Sequence, residues 1–507
     1  MRGKYNMYTS GVPETLKKIF PKDIIAKMKI LKIIYENPEG RYINDLLKFT
    51  SLHRKTIYKY IHEINKISLE HLGKESISLS IKKKYRFNSS KSDYFTLRAL
   101  LLETSIVVQL IDSLLSKSIV VTSKFCLTHY ISENMLRREI KPLQLLLRKL
   151  DIILEIKKGT ITIVGEEPKI RYYFTTFFWS FYRGVKWPFP TVDKNELSMI
   201  LTTIYPKFSL KEMKIKNEVL LYILAINILR ATSKHLVKNS EIPTYLHYIN
   251  HDNYHALSYM KRLVNKKLNI IEIEYNLIVL RIFSEYFMPS ENNRAIVETL
   301  RLHKASSYKA ILHILELVNK SRTVPYDSCF DTTHHFLSAL VINRMFIDLF
   351  KDVNLDIYAL DSTYPTNRID LDLFYRLECI LKENDSLIPP TILRALIYQY
   401  HNICIKVFQK RFEPEIKIFI ATDLPIYIEN SLVNKIHTLL SQNHNIKICT
   451  NLTEDPPDLI IATGVIGCIF ANIRTVYVGS NLTPLDSKVL LEEVITISNY
   501  KKRRNTE

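Results

Sequence analysis

The spacing of apolar residues in the first third of the chain predicts two helix-turn-helix units of the same design. In the first unit, Leu46 and Leu47 mark a short helix, and Leu52 ends the turn that follows it. A longer helix then has apolar residues at three- and four-residue steps, at Ile57, Ile61, Ile64 and Ile67. The second unit has apolar residues 79 positions after Leu52, Ile57, Ile61 and Ile64, at Ile131, Leu136, Ile140 and Leu143. A tandem arrangement of this kind is typical of proteins that bind duplex DNA.

Each unit is followed by a predicted hairpin with a basic tip. After the first unit, residues 77–81 alternate as a strand, Lys82, Lys83 and Lys84 form the tip, and residues 85–87 return. After the second unit, residues 152–156 and 160–164 are the strands, and residues 157–159 form the tip. Gly159 suits the positive φ that tight hairpins require. Both units are therefore predicted to be winged helix-turn-helix domains.

The polar side chains that the apolar stripes leave outward form the predicted DNA-contacting set. In the first unit they are His53, Arg54, Lys55, Thr56, Tyr58, Lys59, Lys82, Lys83 and Lys84. In the second unit they are Asn134, Arg137, Arg138, Lys141, Lys157 and Lys158. Either unit alone also fits a basic amphipathic helix pair with a solvated lysine run, but two copies in the same order favour DNA binding.

The second long helix contains a proline, Pro142. Proline in an ordinary helix interior costs about 3 kcal/mol, because it lacks the N–H donor and clashes with the preceding turn. The sequence therefore predicts a kink, or a less close fit to DNA, in the second unit.

Basic charge is concentrated where the two units lie. The 507 residues carry 71 Lys and Arg and 51 Asp and Glu, a formal net charge of +20. Residues 1 to 165 hold 30 of these basic and 15 of these acidic residues, a net charge of +15. The other 342 residues hold 41 and 36, a net charge of +5. This distribution favours a polyanionic partner for the repeat.

Several classes of protein have little support in the sequence. Only 10 glycines occur, and no Gly-rich nucleotide-binding loop is present. The six cysteines form no Cys-x-x-Cys pair, which predicts reduced thiols and no zinc site. No catalytic triad, metal site or cofactor motif emerges, so a non-enzyme is predicted. The first residues lack the apolar core of a signal peptide and no apolar run is long enough to cross a bilayer, so a cytoplasmic protein without membrane contact is expected.

The middle of the chain is predicted to be two all-helical domains, residues 168–289 and 290–412. The acidic pair Glu166 and Glu167 before them is predicted to be a solvated turn. Four histidines are candidates for chemistry, because an imidazole can accept a phosphoryl group and thereby gain negative charge: His235, His334, His335 and His401. The alternative for each is an ordinary polar residue on a half-buried helix.

After Pro414, strands alternate with helices, which predicts a small parallel α/β domain over residues 413–500. Such a domain can bind a ligand at its strand ends or pair with another subunit. Residues 501–507 are predicted to be a solvated basic tail.

This order of parts resembles the Mga/AtxA class of virulence regulators of Gram-positive bacteria. The resemblance implies winged units over residues 1–90 and 91–167, two phosphotransferase-system regulation domains (PRDs) over residues 168–289 and 290–412, and an EIIB-like domain over residues 413–500. It implies homodimers, formed through the EIIB-like domain and the PRDs, that bind A+T-rich or curved promoter DNA. It also implies that phosphocarrier proteins of the sugar phosphotransferase system phosphorylate PRD histidines. By position His235 matches the site of the first PRD, while His401 and the pair His334 and His335 compete for the second.

One departure from the family pattern concerns the EIIB-like domain. An active EIIB carries a phosphocysteine just after its first strand, where this chain has Ala421, Thr422 and Asp423. Alanine cannot accept a phosphoryl group, so a domain that does not transfer phosphate is expected. The sequence thus predicts a dimeric DNA-binding transcriptional regulator, an activator, controlled by histidine phosphorylation. The alternatives are an RNA-binding PRD antiterminator and a phosphotransferase-system component.

Overall fold

The computed structural model describes most of the chain. Described residues are 18–117, 119–210, 213–249, 268–287, 298, 300–302, 307–320, 330–351, 371–384, 390–412, 414–441, 444–449, 456–464, 473–479 and 481–504. They form two compact units, Met1–Ala305 with Val341–Ile369, and Ser306–Leu340 with Asp370–Glu507. The predicted boundary at residues 288–290 lies outside the described residues.

The first unit begins with a winged helix-turn-helix. Its elements are α1 (Lys22–Tyr35), β1 (Arg41–Tyr42), α2 (Ile43–Thr50), α3 (Arg54–Leu72), β2 (Ile77–Leu79) and β3 (Lys84–Phe87). The strands form an antiparallel sheet in the order β1-β3-β2. Ile57, Ile61 and Ile64 of α3 are buried against α1, which confirms the predicted apolar stripe.

The first hairpin is shorter than predicted on one side. Strand β2 ends at Leu79, and Lys84 belongs to the return strand rather than to the tip. The ladder closes there because the Ser80 N–H donates to the Lys84 carbonyl and the Lys84 N–H donates to the Ser80 hydroxyl. Residues 81–83 are left to form the turn, with Lys83 at a φ of 56°.

A second winged helix-turn-helix region follows, and it begins with two helices. Its elements are α4 (Lys91–Glu103), α5 (Ile106–Ser116), β4 (Val120–Val121), α6 (Thr122–Thr128), α7 (Glu133–Lys149), β5 (Ile153–Lys157) and β6 (Thr160–Val164). The sheet order β4-β6-β5 repeats that of the first unit. Leu136, Ile140, Leu143 and Leu147 are buried, so the predicted stripe is confirmed and continues to Leu147.

One detail of the second unit differs from the sequence prediction. Helix α7 runs from Glu133 to Lys149 and includes Pro142, the residue at which a kink is predicted. Lys157 pairs with Thr160 across the β5–β6 ladder, so it belongs to a strand and the turn consists of Lys158 and Gly159. Both turn residues have positive φ, 49° and 74°, as a two-residue hairpin turn of this twist requires.

The rest of the first unit is helical, as predicted. It contains α8 (Glu167–Tyr182), α9 (Lys194–Ile204), α10 (Lys214–Thr232), α11 (Ile270–Phe287), and the 3-10 turns Pro206–Ser209, Asn239–Glu241 and Thr244–Tyr248. Helix α8 is buried at all 16 of its residues. Its first residue, Glu167, is therefore not part of a solvated turn, and its carboxylate pairs with two buried arginines. Arg98 of α4 donates to the carbonyls of Ser180 and Phe181 at the other end of α8.

The second unit contains α12 (Ser307–Lys320), α14 (Leu371–Asn384), α15 (Pro390–Phe412) and a C-terminal α/β part, while α13 (Phe330–Phe350) has residues in both units. The α/β part consists of β7 (Ile416–Ala421), α16 (Ile426–Ser441), β8 (Ile446–Cys449), β9 (Leu459–Ala462), β10 (Arg474–Tyr477) and α17 (Pro484–Arg504). Its four strands are parallel, in the order β10-β9-β7-β8, which confirms the predicted parallel sheet.

The predicted C-terminal tail is partly structured. Helix α17 extends to Arg504, and Lys501 Nζ lies 2.5 Å from Asp458 Oδ2 and 2.7 Å from the Glu415 carbonyl. The side chain of Lys501 reaches these acceptors because α17 packs across the sheet whose strands they precede. Residues 501–504 therefore belong to α17, and Lys501 is held by these contacts instead of being free in solvent.

Among the described residues, no single helix is long and apolar enough to cross a membrane, and α4 and α5 reach that length and composition only together across a bend of 82°.

Candidate nucleic-acid interface

The first helix-turn-helix presents its polar side chains on the side of α3 opposite the core. His53 caps the start of α3 in an extended conformation, and Arg54 and Lys55 form the first helical turn. These three residues are exposed, as are Tyr58 and Lys59 one turn later, while Thr56 is half-buried. The predicted contacts of this helix therefore lie together at its N-terminal end, where a recognition helix meets base edges and phosphates.

Arg54 is held by a residue that the sequence did not indicate. Its guanidinium Nη2 donates to Asn44 Oδ1 on α2 at a distance of 2.9 Å. Asn44 therefore holds the Arg54 side chain near the turn between the two helices. The sequence gives little indication of this contact, because ten residues separate Asn44 from Arg54 and neither residue belongs to the apolar pattern.

The second helix-turn-helix repeats this arrangement on α7. Ser132 caps the helix, with its hydroxyl accepting from the Met135 N–H at 3.2 Å. Asn134, Arg137, Arg138 and Lys141 are all exposed. Arg138 lies 3.3 Å from the carboxylate of its neighbour Glu139, so part of its charge is compensated. Arg137 is the better candidate for contact with a nucleic acid.

The two units match in the spacing of their elements along the sequence as well as in the order of the elements. Equivalent elements begin 79 residues apart in the two units, at Arg41 and Val120, at Ile43 and Thr122, and at Arg54 and Glu133. The turns also match, because Ser51 and Tyr130, again 79 residues apart, both have a left-handed φ, of 57° and 53°. The hairpin strands start 76 residues apart, since the second long helix and the link after it are shorter.

Both hairpins carry lysines, but not in equal environments. Lys82, Lys83, Lys157 and Lys158 are exposed. Lys84 is half-buried, with its ammonium 5.2 Å from the centre of the Tyr42 ring, which ties the first hairpin to β1. Ile81 is fully exposed at the first tip, among lysines. Only the first hairpin therefore offers an apolar side chain at its tip.

One histidine near the second turn does not add positive charge at neutral pH. Burial and the charge of Lys117 lower the pKa of His129 below its ordinary value. Its ring packs against Phe125, with the ring centres 4.3 Å apart. The positive charge of this surface therefore comes from its arginines and lysines.

The candidate phosphorylation sites lie in three different settings. His235 is half-buried in the segment after α10, and its carbonyl accepts from Arg171 Nη2 at 2.8 Å. His401 is buried on α15, with its ring centre 6.2 Å from that of Phe374. His334 and His335 belong to α13, but their side chains lie outside the described residues. The described geometry leaves His235 the more accessible of the first two.

A polar contact joins the loop after β7 to the neighbouring strand end, at the position where the family resemblance predicts a phosphocysteine. Ala421 ends β7, and Asp423 in the following loop accepts from the Thr463 hydroxyl at 2.8 Å, after the neighbouring strand β9. Within the part of the chain that the structure describes, no group of three or more His, Cys, Asp or Glu side chains could hold a metal ion.

Comparison with known proteins adds independent findings. The family model described as "Mga helix-turn-helix domain" matches residues 91–178, which include α4 to α7 and most of α8. A protein of Streptococcus pneumoniae serotype 4 that is assigned as a trans-acting regulator is 20% identical over 404 residues, which cover 73% of this chain and 78% of that protein. The matched domain and the long similarity agree with the repeated helix-turn-helix geometry. Residues 91–178 thus match a Mga helix-turn-helix domain, and the chain is similar over most of its length to a trans-acting regulator.

Proposed function

We propose that this protein is a transcriptional regulator that binds double-stranded DNA through both winged helix-turn-helix units. The observation that carries the proposal is the repeated geometry, in which α3 and α7 each bury one stripe and expose a basic face at equivalent positions. Lysines and arginines on these faces and on the hairpins supply phosphate contacts, which give most of the affinity. Arg54 and Arg137 lie where a recognition helix meets base edges.

The preferred DNA is expected to be A+T-rich or curved. Most of the proposed contacts are lysines, which bind phosphates as point charges and carry little sequence information. Selection then depends on how easily a DNA sequence bends and narrows its minor groove. The exposed Ile81, directly before three lysines, suits an apolar contact with such a groove.

Salt titration of binding tests the proposal. If about 6 to 10 phosphates are neutralised, affinity for promoter duplexes falls by about 10³- to 10⁵-fold between 50 and 200 mM salt. Filter binding or fluorescence anisotropy with a duplex, and with an RNA hairpin of equal charge at the same salt concentration, provides the measurement. Tighter binding to the RNA would instead favour an antiterminator, and absence of binding to either would contradict the proposal.

Regulation is proposed to act through histidine phosphorylation by phosphocarrier proteins of the sugar phosphotransferase system. His235 is the favoured site in the first PRD-like region, because it lies half-buried in a segment between helices. His401 is buried, so its modification requires α15 to move. His334 and His335 remain candidates for the second region.

Replacement of His235 with aspartate is expected to change dimerisation or promoter activity several-fold relative to replacement with alanine. Aspartate introduces the negative charge of a phosphorylated ring, whereas alanine only removes the ring. Sedimentation equilibrium and a promoter–reporter assay provide the two measurements. If the aspartate and alanine variants behave alike, the histidine has a structural role only.

The C-terminal α/β part is proposed to be an EIIB-like domain that pairs subunits and does not transfer phosphate. The position after β7 has Ala421 in place of the phosphocysteine of an active EIIB, and α17 exposes Leu485 and Val489 one turn apart, which supports a contact surface for a second copy. The protein is accordingly proposed to act as a cytoplasmic homodimer, as an activator, and without enzymatic activity.

A further inference from the structure

Four charged side chains form a buried ion cluster between α8, α10 and α11. Glu167 lies 3.0 Å from Arg171 and 2.7 Å from Arg230, and Arg171 lies 2.7 Å from Glu272. None of the four side chains is more than 8% exposed. The buried ion cluster (Glu167, Arg171, Arg230, Glu272) has two positive and two negative charges, so its net charge is zero. Removal of one member strands a charge away from water.

The cluster fixes the backbone of the segment that carries His235. Arg171 Nη2 donates to the His235 carbonyl at 2.8 Å, and Glu272 Oε1 accepts from the Val237 N–H at 2.7 Å. These bonds hold the segment at the histidine itself and at the second residue after it. The ring Nε2 of His235 is shielded from solvent, so chemistry at that atom requires the segment to open.

At its other end the cluster reaches the domain that carries α7. Arg230 Nη1 donates to the Leu114 carbonyl at 3.3 Å, and Ser233 Oγ donates to the Ser116 carbonyl at 3.1 Å. Both carbonyls belong to the last turn of α5, where helix carbonyls have no partner within the helix. The end of α5 is therefore bonded to the segment after α10.

Helix α5 in turn supports the second recognition helix. Leu114 and Ile111 of α5 are buried beside Leu143 and Leu147 of α7, around an apolar cavity of only about 10 Å³. Closely packed interiors transmit displacement rather than absorb it, because they contain few voids. A continuous set of contacts thus runs from the His235 segment through the cluster and α5 to α7.

We propose that the buried ion cluster couples the His235 segment to the second winged helix-turn-helix, so that opening of the segment releases the end of α5. Arg171 and Arg230 are the positioning residues of this coupling, and Ser233 bonds the segment to the end of α5 near the surface. A negative charge on residue 235 competes with Glu167 and Glu272 for the two guanidinium groups, which disrupts the bonds that hold the segment and the bond from Arg230 to the end of α5. This inference rests on the proposed regulation through His235, but it does not require that the protein bind DNA.

Hydrogen exchange of the full chain, measured by mass spectrometry without DNA, tests the coupling. His235→Asp is expected to accelerate amide exchange in residues 106–116 several-fold. In the background of Arg230→Lys, which keeps the charge but loses the planar fork, the acceleration is expected to be lost. Ser233→Ala removes the hydrogen bond to the Ser116 carbonyl without changing the buried charges, and it is expected to reduce the acceleration. The test therefore does not depend on a variant that disturbs the core.

Two matched variants serve as controls. Thr232→Ala removes a hydroxyl that bonds only to carbonyls of its own helix, at Ile228 and Leu229. Arg281→Lys alters an arginine that pairs with Glu285 along α11. Both controls should retain the response to His235→Asp.

The inference is overturned if residues 106–116 do not respond to His235→Asp, or if the response persists in both Arg230→Lys and Ser233→Ala. Loss of DNA binding with an intact exchange response would contradict the proposed function alone.

Discussion

Replacement of Arg171 with methionine is expected to lower the free energy of unfolding by about 3–5 kcal/mol, because it leaves buried carboxylates without their partner. Glu272 is fully buried and would keep only the Val237 N–H as a donor. Burial lowers the pKa of the Arg171 guanidinium, but hydrogen bonding and the charge of Glu272 outweigh this and raise it above its ordinary value. The arginine is therefore charged at neutral pH.

Urea unfolding followed by tryptophan fluorescence can measure this effect locally. The chain has 2 tryptophans, Trp179 on α8 and Trp187, whose indole N–H donates to the Val192 carbonyl at 3.0 Å. Both report on the region that surrounds α8. Arg301→Met is the control, because Arg301 is exposed and pairs with Glu298 on the surface, where such pairs contribute less than about 1 kcal/mol. Equal destabilisation by the two substitutions would show that the cluster adds no stability of its own.

Replacement of Arg137 with alanine is expected to weaken promoter binding by about 10- to 100-fold, as loss of a contact to a base edge does. Arg137 is exposed on α7 beside the buried Leu136, so its side chain can be removed without a change to the core. Arg54→Ala is expected to act in the same direction on α3. Fluorescence anisotropy with a labelled promoter duplex, repeated over a range of salt concentrations, provides the measurement.

The choice of control for that experiment follows from the structure. Lys501 carries the same charge but pairs with Asp458, so its replacement disturbs the C-terminal sheet. Lys488 on α17 is preferable, because its side chain is 71% exposed and its nearest carboxylate, on Glu492, is 3.9 Å away. Lys488→Ala should leave the affinity almost unchanged. A loss as large as that of Arg137→Ala would mean that binding depends only on net charge.

The helix-turn-helix elements could be predicted from the sequence because their signal is local. Ile57, Ile61 and Ile64 recur at helical spacing and bury one side of α3, and the same spacing returns in α7. Such a stripe needs no knowledge of the remainder of the chain. The ends of the hairpins were less predictable, since Lys84 and Lys157 are assigned to strands by ladder bonds that lysine side chains do not reveal.

The buried ion cluster could not be predicted, because its partners are far apart in sequence. Arg171 and Glu272 are separated by 101 residues, and Arg230 and Glu167 by 63. Glu167, next to Glu166, looks like a solvated turn until α8 is known to be buried on every side. Burial of a charge depends on tertiary packing, and the residue type alone favours the surface.

The complete burial of α8 also limits how this protein can be divided or recombined. The family match ends at residue 178, within the helix, and Ile170, Tyr173, Phe174 and Phe177 of α8 cover the same apolar cavity that α5 and α7 line. If the chain were divided before α8, the second winged unit would lose the helix that covers its recognition helix. If it were divided after α8, the helical region would lose its first helix. The second winged unit and the helical region therefore share a structural part, and exchange of either between related proteins must carry α8 with it.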